Sequence, residues 1–293
     1  MKDLKENISS AFGEHGDSWL KQLPSTIEHL IKYWHLKDLQ PNERMTWSYI
    51  AKATRDDKPV ILKITCDNSA FINERHALQY FHHQGAIALT DFSTDNKALL
   101  LQQAIPGTPL KTLRSIDIDN AMTQYAIVIE KLTASCMPSF HLFERMGQWC
   151  ESIDYANDSR IPPLLLAKAI SLKNHLISTA TQEVILHGDL HLDNIVSHED
   201  HWLAIDPKGV IGEIPFEVAK FDFIDSIELM EPNKCVSLFS ERVKILGDKL
   251  DLDTERLMNW VFVRHILAAC WFIEDDLDPT PSIIMANIVN KSL

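Results

Sequence analysis

The chain of 293 residues is long enough for one large domain or two smaller ones. Its 45% hydrophobic and 24% charged residues are typical of a folded globular protein and argue against a disordered one. The 28 basic and 41 acidic residues give a formal net charge of −13. Nucleic-acid binders and polybasic membrane-surface proteins need positive potential, so this charge disfavours both classes and permits a cationic ligand.

The five cysteines are scattered and form no C-x-x-C pair, which argues against a disulfide framework or a cysteine zinc site. The N-terminus has no apolar signal core, and no run reaches the roughly 18 apolar residues of a membrane span. We therefore expect a cytoplasmic protein without a membrane partner, present as a monomer or a weak dimer.

The first third of the chain is predicted to contain most of the strands. Residues 18–36 place apolar side chains at helical spacing, with Pro24 marking a break or a second start. Two segments rich in β-branched and aromatic residues follow, separated by the turn-like run Asp56–Lys58. Two further short strands are predicted near 87–93 and 98–103.

One helix interrupts these strands. In residues 69–85, Ser69 is predicted to cap the helix, apolar side chains form one stripe, and Gly85 is predicted to end it. Beyond Gly107 the pattern is mostly helical, with helices predicted at 117–136, 162–180, 215–229, 233–249 and 254–274.

A β-hairpin is predicted within the helical part, with strands at Asn194–Val196 and Trp202–Ile205 joined by a polar turn. Strands followed by helices, rather than alternating units, indicate an α+β class. We expect a small β-rich N-terminal lobe with one long helix and a larger, mostly helical C-terminal lobe, joined near residues 102–107.

The strongest local signal is His187–Asn194, HGDLHLDN, whose H-x-D-x-x-x-x-N skeleton has the spacing of the catalytic loop in protein-kinase-like phosphotransferases. Transfer of a γ-phosphoryl group needs a carboxylate that orients or deprotonates the acceptor hydroxyl, which Asp189 would supply. It also needs oxygen ligands for Mg²⁺, and the Asn194 amide can provide one. Asp206 follows the apolar second strand of the hairpin, in the position of the D-F-G aspartate.

A strand lysine of the small lobe is expected to hold the α- and β-phosphates of ATP. Lys63 in the segment VILKI fits the V-A-I-K pattern, and a lysine in an apolar strand needs an anionic partner, for which Glu74 is the natural candidate. Residues 99–107 are typical of a hinge between lobes. Adenine would bind there to the backbone of Gln103, Ala104 and Ile105.

HGDLHLDN together with residues 202–219 resembles the aminoglycoside phosphotransferase branch of the kinase-like fold. More narrowly, it is similar to the aminoglycoside/hydroxyurea antibiotic-resistance kinases, the group that includes streptomycin 6-kinase. A D-P-K-G run and a following Pro-x-acidic-x-Ala element are typical of that group, and here they are Asp206–Gly209 and Pro215–Ala219. The resemblance spans roughly residues 45–280.

This resemblance implies a bilobal protein-kinase-like fold and an ATP- and Mg²⁺-dependent kinase. It implies Asp189 as the catalytic base, Asn194 and Asp206 as magnesium ligands, and Lys63 with Glu74 as the phosphate-holding pair. The chain is accordingly divided into an N-terminal helical extension, a nucleotide-binding lobe, and a lobe with the catalytic loop and the acceptor site, which span residues 1–38, 39–103 and 104–293.

The segment expected to cover the phosphates departs from the kinase pattern. Kinases use a glycine-rich loop whose exposed amides approach the phosphate oxygens closely. The matching stretch, Arg44–Arg55, contains no glycine. Members of the antibiotic-kinase branch often depend less on glycine here, and Ser48 is expected to donate in its place.

An acidic run near the C-terminus is the candidate acceptor-binding feature. Acidic residues are electrostatically unfavourable at a helix C-terminus, and a polycationic acceptor would compensate this. The resembling kinases use acidic residues of the C-terminal lobe to hold guanidinium or ammonium groups. The acceptor-binding candidates are Glu274, Asp275, Asp276 and Trp271. A solvated helix end is the alternative for the three acidic residues, and burial in the core is the alternative for Trp271.

The resemblance favours a small-molecule, cationic hydroxyl acceptor of the streptomycin type. An endogenous amino alcohol or sugar is an alternative acceptor. A nucleotide-binding pseudokinase or partner-binding module is the alternative of another class, favoured by the missing glycines and disfavoured by the complete trio Asp189, Asn194 and Asp206. A zinc site at His187 and His191 is disfavoured, because no third ligand has an obvious spacing.

Overall fold

The computed structural model of the protein describes residues 1–134 and 143–293. The end of the predicted helix 117–136 and Cys136 lie outside the described residues. The described cysteines are all buried and free, as expected for a chain without a disulfide framework: Cys66, Cys150, Cys235 and Cys270.

The N-terminal lobe is built on a five-stranded antiparallel sheet in the order β1-β2-β3-β5-β4. Its strands are β1 (Lys37–Pro41), β2 (Ser48–Arg55), β3 (Lys58–Thr65), β4 (Leu89–Ser93) and β5 (Ala98–Gln102). Buried Leu62 and Ile64 alternate along β3 with Lys63, which therefore points to the opposite face of the sheet. Lys63 pairs in register with Ile50 of β2 and Leu99 of β5.

Helix α2 (Asn68–Phe81) packs between the sheet and the second lobe. The prediction of Ser69 as its cap is wrong, because the Asp67 side chain accepts the Ser69 and Ala70 amides at 2.7 and 3.3 Å. The helix also ends before Gly85, since His82 takes the left-handed conformation after Phe81. The shorter helix presents Glu74 on its buried face.

Helix α1 (Lys2–Tyr33) begins earlier than the predicted helix 18–36 and continues through Pro24. Its one break lies at Gly13, with φ 51° and ψ −133°, a combination that glycine adopts at no steric cost. Gly16 then lies so close to the preceding part of the helix that a Cβ there would come within 2.4 Å of the Ile8 carbonyl oxygen.

The N-terminal helix and the sheet share one hydrophobic core. From α1 it takes Leu4, Ile8, Leu23 and Leu30, and from the sheet Ala51, Val60, Leu62, Ile64 and Leu100. The extension is thereby attached to the face of the sheet that is opposite Lys63.

The C-terminal lobe is mainly helical. Its helices are α3 (Leu110–Arg114), α4 (Ile118–Thr133), α5 (Met146–Trp149), α6 (Glu151–Tyr155), α7 (Pro163–Ser178), α8 (Ile214–Val218), α9 (Pro232–Leu250), α10 (Thr254–Glu274) and α11 (Thr280–Ser292). Most of the predicted helices are present, but the helix predicted over 215–229 is wrong. Helix α8 is a single short helix, and an irregular segment with a 3₁₀ turn at Glu228–Met230 follows it.

Two small sheets support the site. β6 (Pro106–Pro109), β8 (Ile195–His198) and β9 (His201–Ala204) form one antiparallel sheet, which contains the predicted hairpin. β7 (Val184–Leu186) and β10 (Val210–Gly212) form the other. Leu186 at the end of β7 pairs with Val210 at the start of β10. The loop that follows β7 and the loop between β9 and β10 therefore lie side by side at this end of the sheet.

Among the described residues, α10 is the one helix that is long and apolar enough to span a membrane by length and composition. More than half of that apolar stretch, 56%, is buried inside the protein. Trp260, Phe262 and Ile266 lie in the core, where α10 packs against α7, α9 and α11. Core helices of globular proteins have these same properties, so the observation is weak support for a membrane span.

Candidate active site

Lys63 lies between two carboxylates at the centre of the cleft. Its Nζ is 2.6 Å from Glu74 Oε2 and 2.5 Å from Asp206 Oδ1. Burial alone would lower the pKa of Lys63, but the two carboxylates raise it above the ordinary value. The lysine is therefore a fixed cation that joins β3 and α2 of one lobe to the loop after β9 of the other.

Asp206 adopts a left-handed backbone conformation with φ 62°, which an aspartate accepts more readily than most residues. Its second oxygen, Oδ2, lies 3.1 Å from Lys208 Nζ. Burial would raise the pKa of Asp206, but Lys63 and Lys208 hold it well below the ordinary value. The side chain is therefore an ionised carboxylate at neutral pH.

The loop after β7 places Asp189 next to Asn194. The Asn194 side-chain amide donates to the Asp189 carbonyl at 3.0 Å, which leaves the amide oxygen of Asn194 available. His187 stands inside the loop, where its Nδ1 accepts the Asp189 amide at 3.2 Å and its Nε2 lies 2.8 Å from the Ile205 carbonyl. Burial lowers the pKa of His187 to about 4, so the imidazole is neutral and supports the backbone.

A buried pair that sequence reasoning missed holds the backbone on both sides of Asp189. Glu217 of α8 accepts the Gly188 and Leu190 amides at 2.9 and 3.3 Å. Arg264 of α10 donates to the Gly188 carbonyl at 3.2 Å. Glu217 lies in the Pro215–Ala219 element that the sequence singled out, whereas Arg264 carried no local signal.

Lys220 is a second residue that the sequence did not single out. Its Nζ lies 2.7 Å from Asp189 Oδ1. Burial would raise the pKa of Asp189, but the charge of Lys220 and its hydrogen bond outweigh this and hold the pKa below the ordinary value. Its position directly after Pro215–Ala219 is the one signal that could have found it.

A cavity of about 390 Å³ lies between the lobes at the hinge. Gln103 and Ala104 line it together with Lys63, Asn194 and Asp206. Ala104 makes no backbone hydrogen bond to another residue in the part of the chain that the structure describes.

Ile105 does not line this hinge cavity. It borders a different one, and its amide donates to His198 Nδ1 at 3.1 Å while its carbonyl accepts the Glu199 amide. Gln103 lines both cavities, so the structure separates Ile105 from Ala104 but not from Gln103.

Ser48 lines an adjoining cavity of about 320 Å³, together with Lys63, Asp206 and Lys208. The loop between β1 and β2, which has no glycine, borders the same cavity. Met45 anchors this loop in the core, and Asn7 of α1 donates to the Thr46 carbonyl at 3.2 Å. The buried Met45 and the contact with the N-terminal helix thus hold this glycine-free loop in place.

The residues proposed to bind the acceptor are divided by the structure. Half-buried Trp271 lines a cavity of about 190 Å³ beside Lys220. Glu274, Asp275 and Asp276 are exposed at the end of α10, and they line neither the two cavities beside Lys63 nor the cavity that Trp271 lines.

His191, Asp193 and Asp222 place one ligand atom each within 4.8 Å of one another. Both carboxylates already face cations, because Lys111 Nζ lies 2.7 Å from Asp193 and Arg114 Nη1 lies 3.6 Å from Asp222. The cluster is therefore accounted for by charge pairing and carries no further site.

Solved structures share this architecture. The aminoglycoside phosphotransferase APH(4)-Ia, in a ternary complex with ADP and hygromycin B, superposes with a TM-score of 0.63 at 14% identity, covering 90% of this chain and 97% of that one. The choline kinase LicA from Streptococcus pneumoniae gives 0.63 at 11% identity, covering 92% and 98%. The predicted bilobal kinase-like fold is confirmed. The family match and the curated relatives show that the chain is a phosphotransferase that acts on an alcohol group.

The aminoglycoside/hydroxyurea antibiotic resistance kinase family matches residues 33–276, and the chain belongs to this family, as the sequence predicted. It is 26% identical to a streptomycin 6-kinase of Streptomyces glaucescens, over 94% of this chain and 92% of the relative. A hydroxyurea phosphotransferase of Kitasatospora aureofaciens is 24% identical, over 90% and 77%. A streptomycin 3''-kinase of Klebsiella pneumoniae is 33% identical over 38% of this chain and 42% of that one.

Proposed function

We propose that the protein transfers the γ-phosphoryl group of ATP to a hydroxyl of a small aminoglycoside-like acceptor, of which streptomycin is the leading candidate. The observation that carries this proposal is the convergence of Lys63, Asp206 and Asn194 on one cleft, with the Asn194 side chain donating to the backbone carbonyl of Asp189. The charge and hydrogen-bonding groups needed for phosphoryl transfer are thus present in one place.

Asp189 acts on the acceptor hydroxyl. Its carboxylate is ionised because Lys220 outweighs the effect of burial, so it accepts a hydrogen bond from the hydroxyl and orients the attacking oxygen. As the bond to phosphorus forms, the hydroxyl proton passes to a carboxylate oxygen of Asp189. The depressed pKa makes orientation the larger part of this role, since a weak base removes a proton only late in the reaction.

The donor set at the hinge cavity fits Mg²⁺. Asn194 offers a neutral amide oxygen and Asp206 an ionised carboxylate, the hard oxygen ligands that this ion prefers. When bound there, the ion would neutralise negative charge on the β- and γ-phosphates. In the structure, the Lys208 ammonium group lies beside the Asp206 carboxylate and balances its negative charge.

Lys63 is proposed to contact the α- and β-phosphates, held by its ion pair with Glu74. Ser48, on the adjoining cavity, is proposed to donate to phosphate oxygens in place of a glycine-rich loop. For adenine, the unpaired backbone of Ala104 and the neighbouring Gln103 support binding in the hinge cavity. The Ile105 amide and carbonyl are already bonded to His198 and Glu199, so Ile105 is a weaker candidate for adenine binding than Ala104.

The choice of an aminoglycoside as the acceptor is supported by two relatives that are named streptomycin kinases. A second candidate acceptor is an amino alcohol, favoured by the likeness to a choline kinase over nearly the whole chain. The four cysteines that the structure describes are free and buried, which supports a reducing compartment, and we place the reaction in the cytoplasm, where ATP is available.

The test is acceptor-dependent ADP release by the purified protein with Mg²⁺ and ATP, measured on streptomycin, hygromycin B, hydroxyurea and choline. We expect release with streptomycin above the acceptor-free rate. Release with choline alone would support the amino-alcohol alternative. Nucleotide binding without release on any acceptor would support the pseudokinase alternative and contradict the proposal.

A further inference from the structure

The cavity lined by Ser48 continues the hinge cavity, because Lys63 and Asp206 line both of them. An ATP molecule with its adenine at the hinge would pass these two side chains with its phosphates, and its terminal phosphates would reach the cavity lined by Ser48. Arg44 lines this second cavity and does not line the hinge cavity. It therefore lies at the phosphate end of the cleft rather than at the adenine end.

The charges around this second cavity are paired, with one exception. The charged side chains that line it are Arg44, Lys63, Asp67, Glu74, Asp206 and Lys208. Lys63 pairs with Glu74 and Asp206, and Lys208 pairs with Asp206. The Asp67 carboxylate accepts the first amides of α2. Within the part of the chain that the structure describes, the Arg44 guanidinium forms no ion pair or hydrogen bond, so it is the charge of this lining that lacks a counterpart.

The backbone on both sides of Arg44 is anchored. Before it, the Asn42 amide donates to the Ile50 carbonyl at 2.8 Å. After it, Met45 is buried, and its sulfur accepts the Ile50 amide at 3.2 Å. An anion that binds Arg44 therefore has to order one side chain and not the loop, which lowers the entropic cost of binding.

A guanidinium group suits the terminal phosphates of a nucleotide. It is always charged, and its planar fork of N–H donors matches two phosphate oxygens at once. A glycine-rich loop binds phosphates through backbone amides, which requires a close approach of the backbone itself. The long side chain of an arginine bridges a greater distance, so a loop with side chains at every position can still contact phosphate.

We propose that Arg44 binds the β- and γ-phosphates of ATP through its guanidinium group, in place of the amides of a glycine-rich loop. The inference rests on the proposed function, because it names a side chain that holds the nucleotide for that reaction. Adenosine nucleotides then depend on Arg44 according to the number of phosphates they carry. AMP, whose single phosphate lies nearest the hinge, depends on it least.

The test is isothermal titration calorimetry of the full-length protein with Mg²⁺ and AMP, ADP or the non-hydrolysable analogue AMP-PNP. Arg55→Gln is the matched control for Arg44→Gln, because Arg55 pairs with Asp91 and borders the cavity that Ile105 lines. We expect Arg44→Gln to lose at least about tenfold in affinity for AMP-PNP, the effect of removing a hydrogen bond between charged groups. The loss should be smaller for ADP and absent for AMP. Arg44→Lys, which keeps the charge and loses the fork, should lie between the wild type and Arg44→Gln.

The role of Arg44 is contradicted if Arg44→Gln binds AMP-PNP as tightly as the wild type and the control do. It is also contradicted if the affinity falls equally for all three nucleotides, since that would show a disturbed loop and not a lost phosphate contact. Circular dichroism and urea unfolding verify that each variant is folded, as expected for changes at an exposed position.

The titration requires no turnover, so its result is independent of the ADP-release test. A loss that grows with the number of phosphates, without ADP release on any acceptor, would contradict the proposed function alone. Acceptor-dependent ADP release by the wild type, with an unchanged nucleotide affinity in Arg44→Gln, would contradict the role of Arg44 alone.

Discussion

Lys220 Nζ lies 2.7 Å from Asp189 Oδ1, so the carboxylate expected to act on the acceptor is paired with a cation from a different element of the lobe. Lys220 follows α8 directly, and the same short helix supplies Glu217 to the amides on both sides of Asp189. One segment of chain therefore determines both the position and the charge state of Asp189.

Replacing Lys220 by Met is expected to raise the pKa of Asp189, because burial then acts without the opposing charge. The acidic limb of the pH profile of kcat/KM should move to higher pH by about one unit, since opposite charges at this distance shift a carboxyl by about 1–3 units. Lys111→Met is the control, because Lys111 pairs with Asp193 instead. An unmoved acidic limb would show that Lys220 does not set the charge of Asp189.

Glu217→Gln is expected to destabilise the fold and slow the reaction. A neutral amide accepts from the Gly188 and Leu190 amides less strongly, and buried Arg264 loses its nearby negative charge. The free energy of unfolding in urea should fall by about 2 kcal/mol, within the range for a buried hydrogen bond to a charged group. Glu241→Gln, at an exposed position of α9, should change it by less than about 0.5 kcal/mol. Equal stabilities of the two variants would contradict the assignment.

His265 is expected to make the fold acid-sensitive. Its pKa is lowered to about 3 when folded, against about 6.5 when unfolded, so the unfolded state binds the extra proton as the pH falls below 6.5. Its contribution to stability is complete above the unfolded pKa and is lost as the pH falls toward the folded pKa. At pH 5 the loss is about 2 kcal/mol.

The measurement is the free energy of unfolding in urea at about pH 7.5 and pH 5. Wild-type protein should lose about 2 kcal/mol more over this interval than His265→Asn. His15→Asn, at an exposed position of α1, should behave as the wild type. A wild-type loss equal to that of His265→Asn would contradict the burial of a neutral imidazole.

The site could be predicted from the sequence where its chemistry is local. The spacing from His187 to Asn194 is a property of one loop, and the hairpin pattern places Asp206 after it. Lys63 and Glu74 were linked by an energetic argument, that a lysine in an apolar strand needs a partner, and the two side chains lie 2.6 Å apart.

Tertiary contacts could not be predicted in the same way. Lys220 reaches the catalytic loop from the segment after α8 and Arg264 from α10, and neither stands at a motif spacing from Asp189. The prediction of one continuous helix over 215–229 also places Lys220 inside that helix. In the structure the helix ends at Val218, and Lys220 lies in the segment that turns toward Asp189.

Helix boundaries depended on single residues whose environment the sequence did not reveal. Asp67 rather than Ser69 caps α2, and both residue types are good caps. Pro24 lies inside α1, and the break lies at Gly13 instead. The break accompanies the close approach of Gly16 to Ile8, a packing contact between separated turns that the local sequence does not reveal.

The role of Asp189 is tested most directly by Asp189→Asn, compared with Asp193→Asn on the same loop. With the acceptor identified by ADP release, kcat should fall about 10²- to 10⁴-fold in Asp189→Asn, the usual contribution of a positioned acid–base group. Asp193→Asn should stay within threefold of the wild type, roughly the effect of losing an exposed ion pair. A folded Asp189→Asn variant with a kcat within tenfold of the wild type would contradict the account.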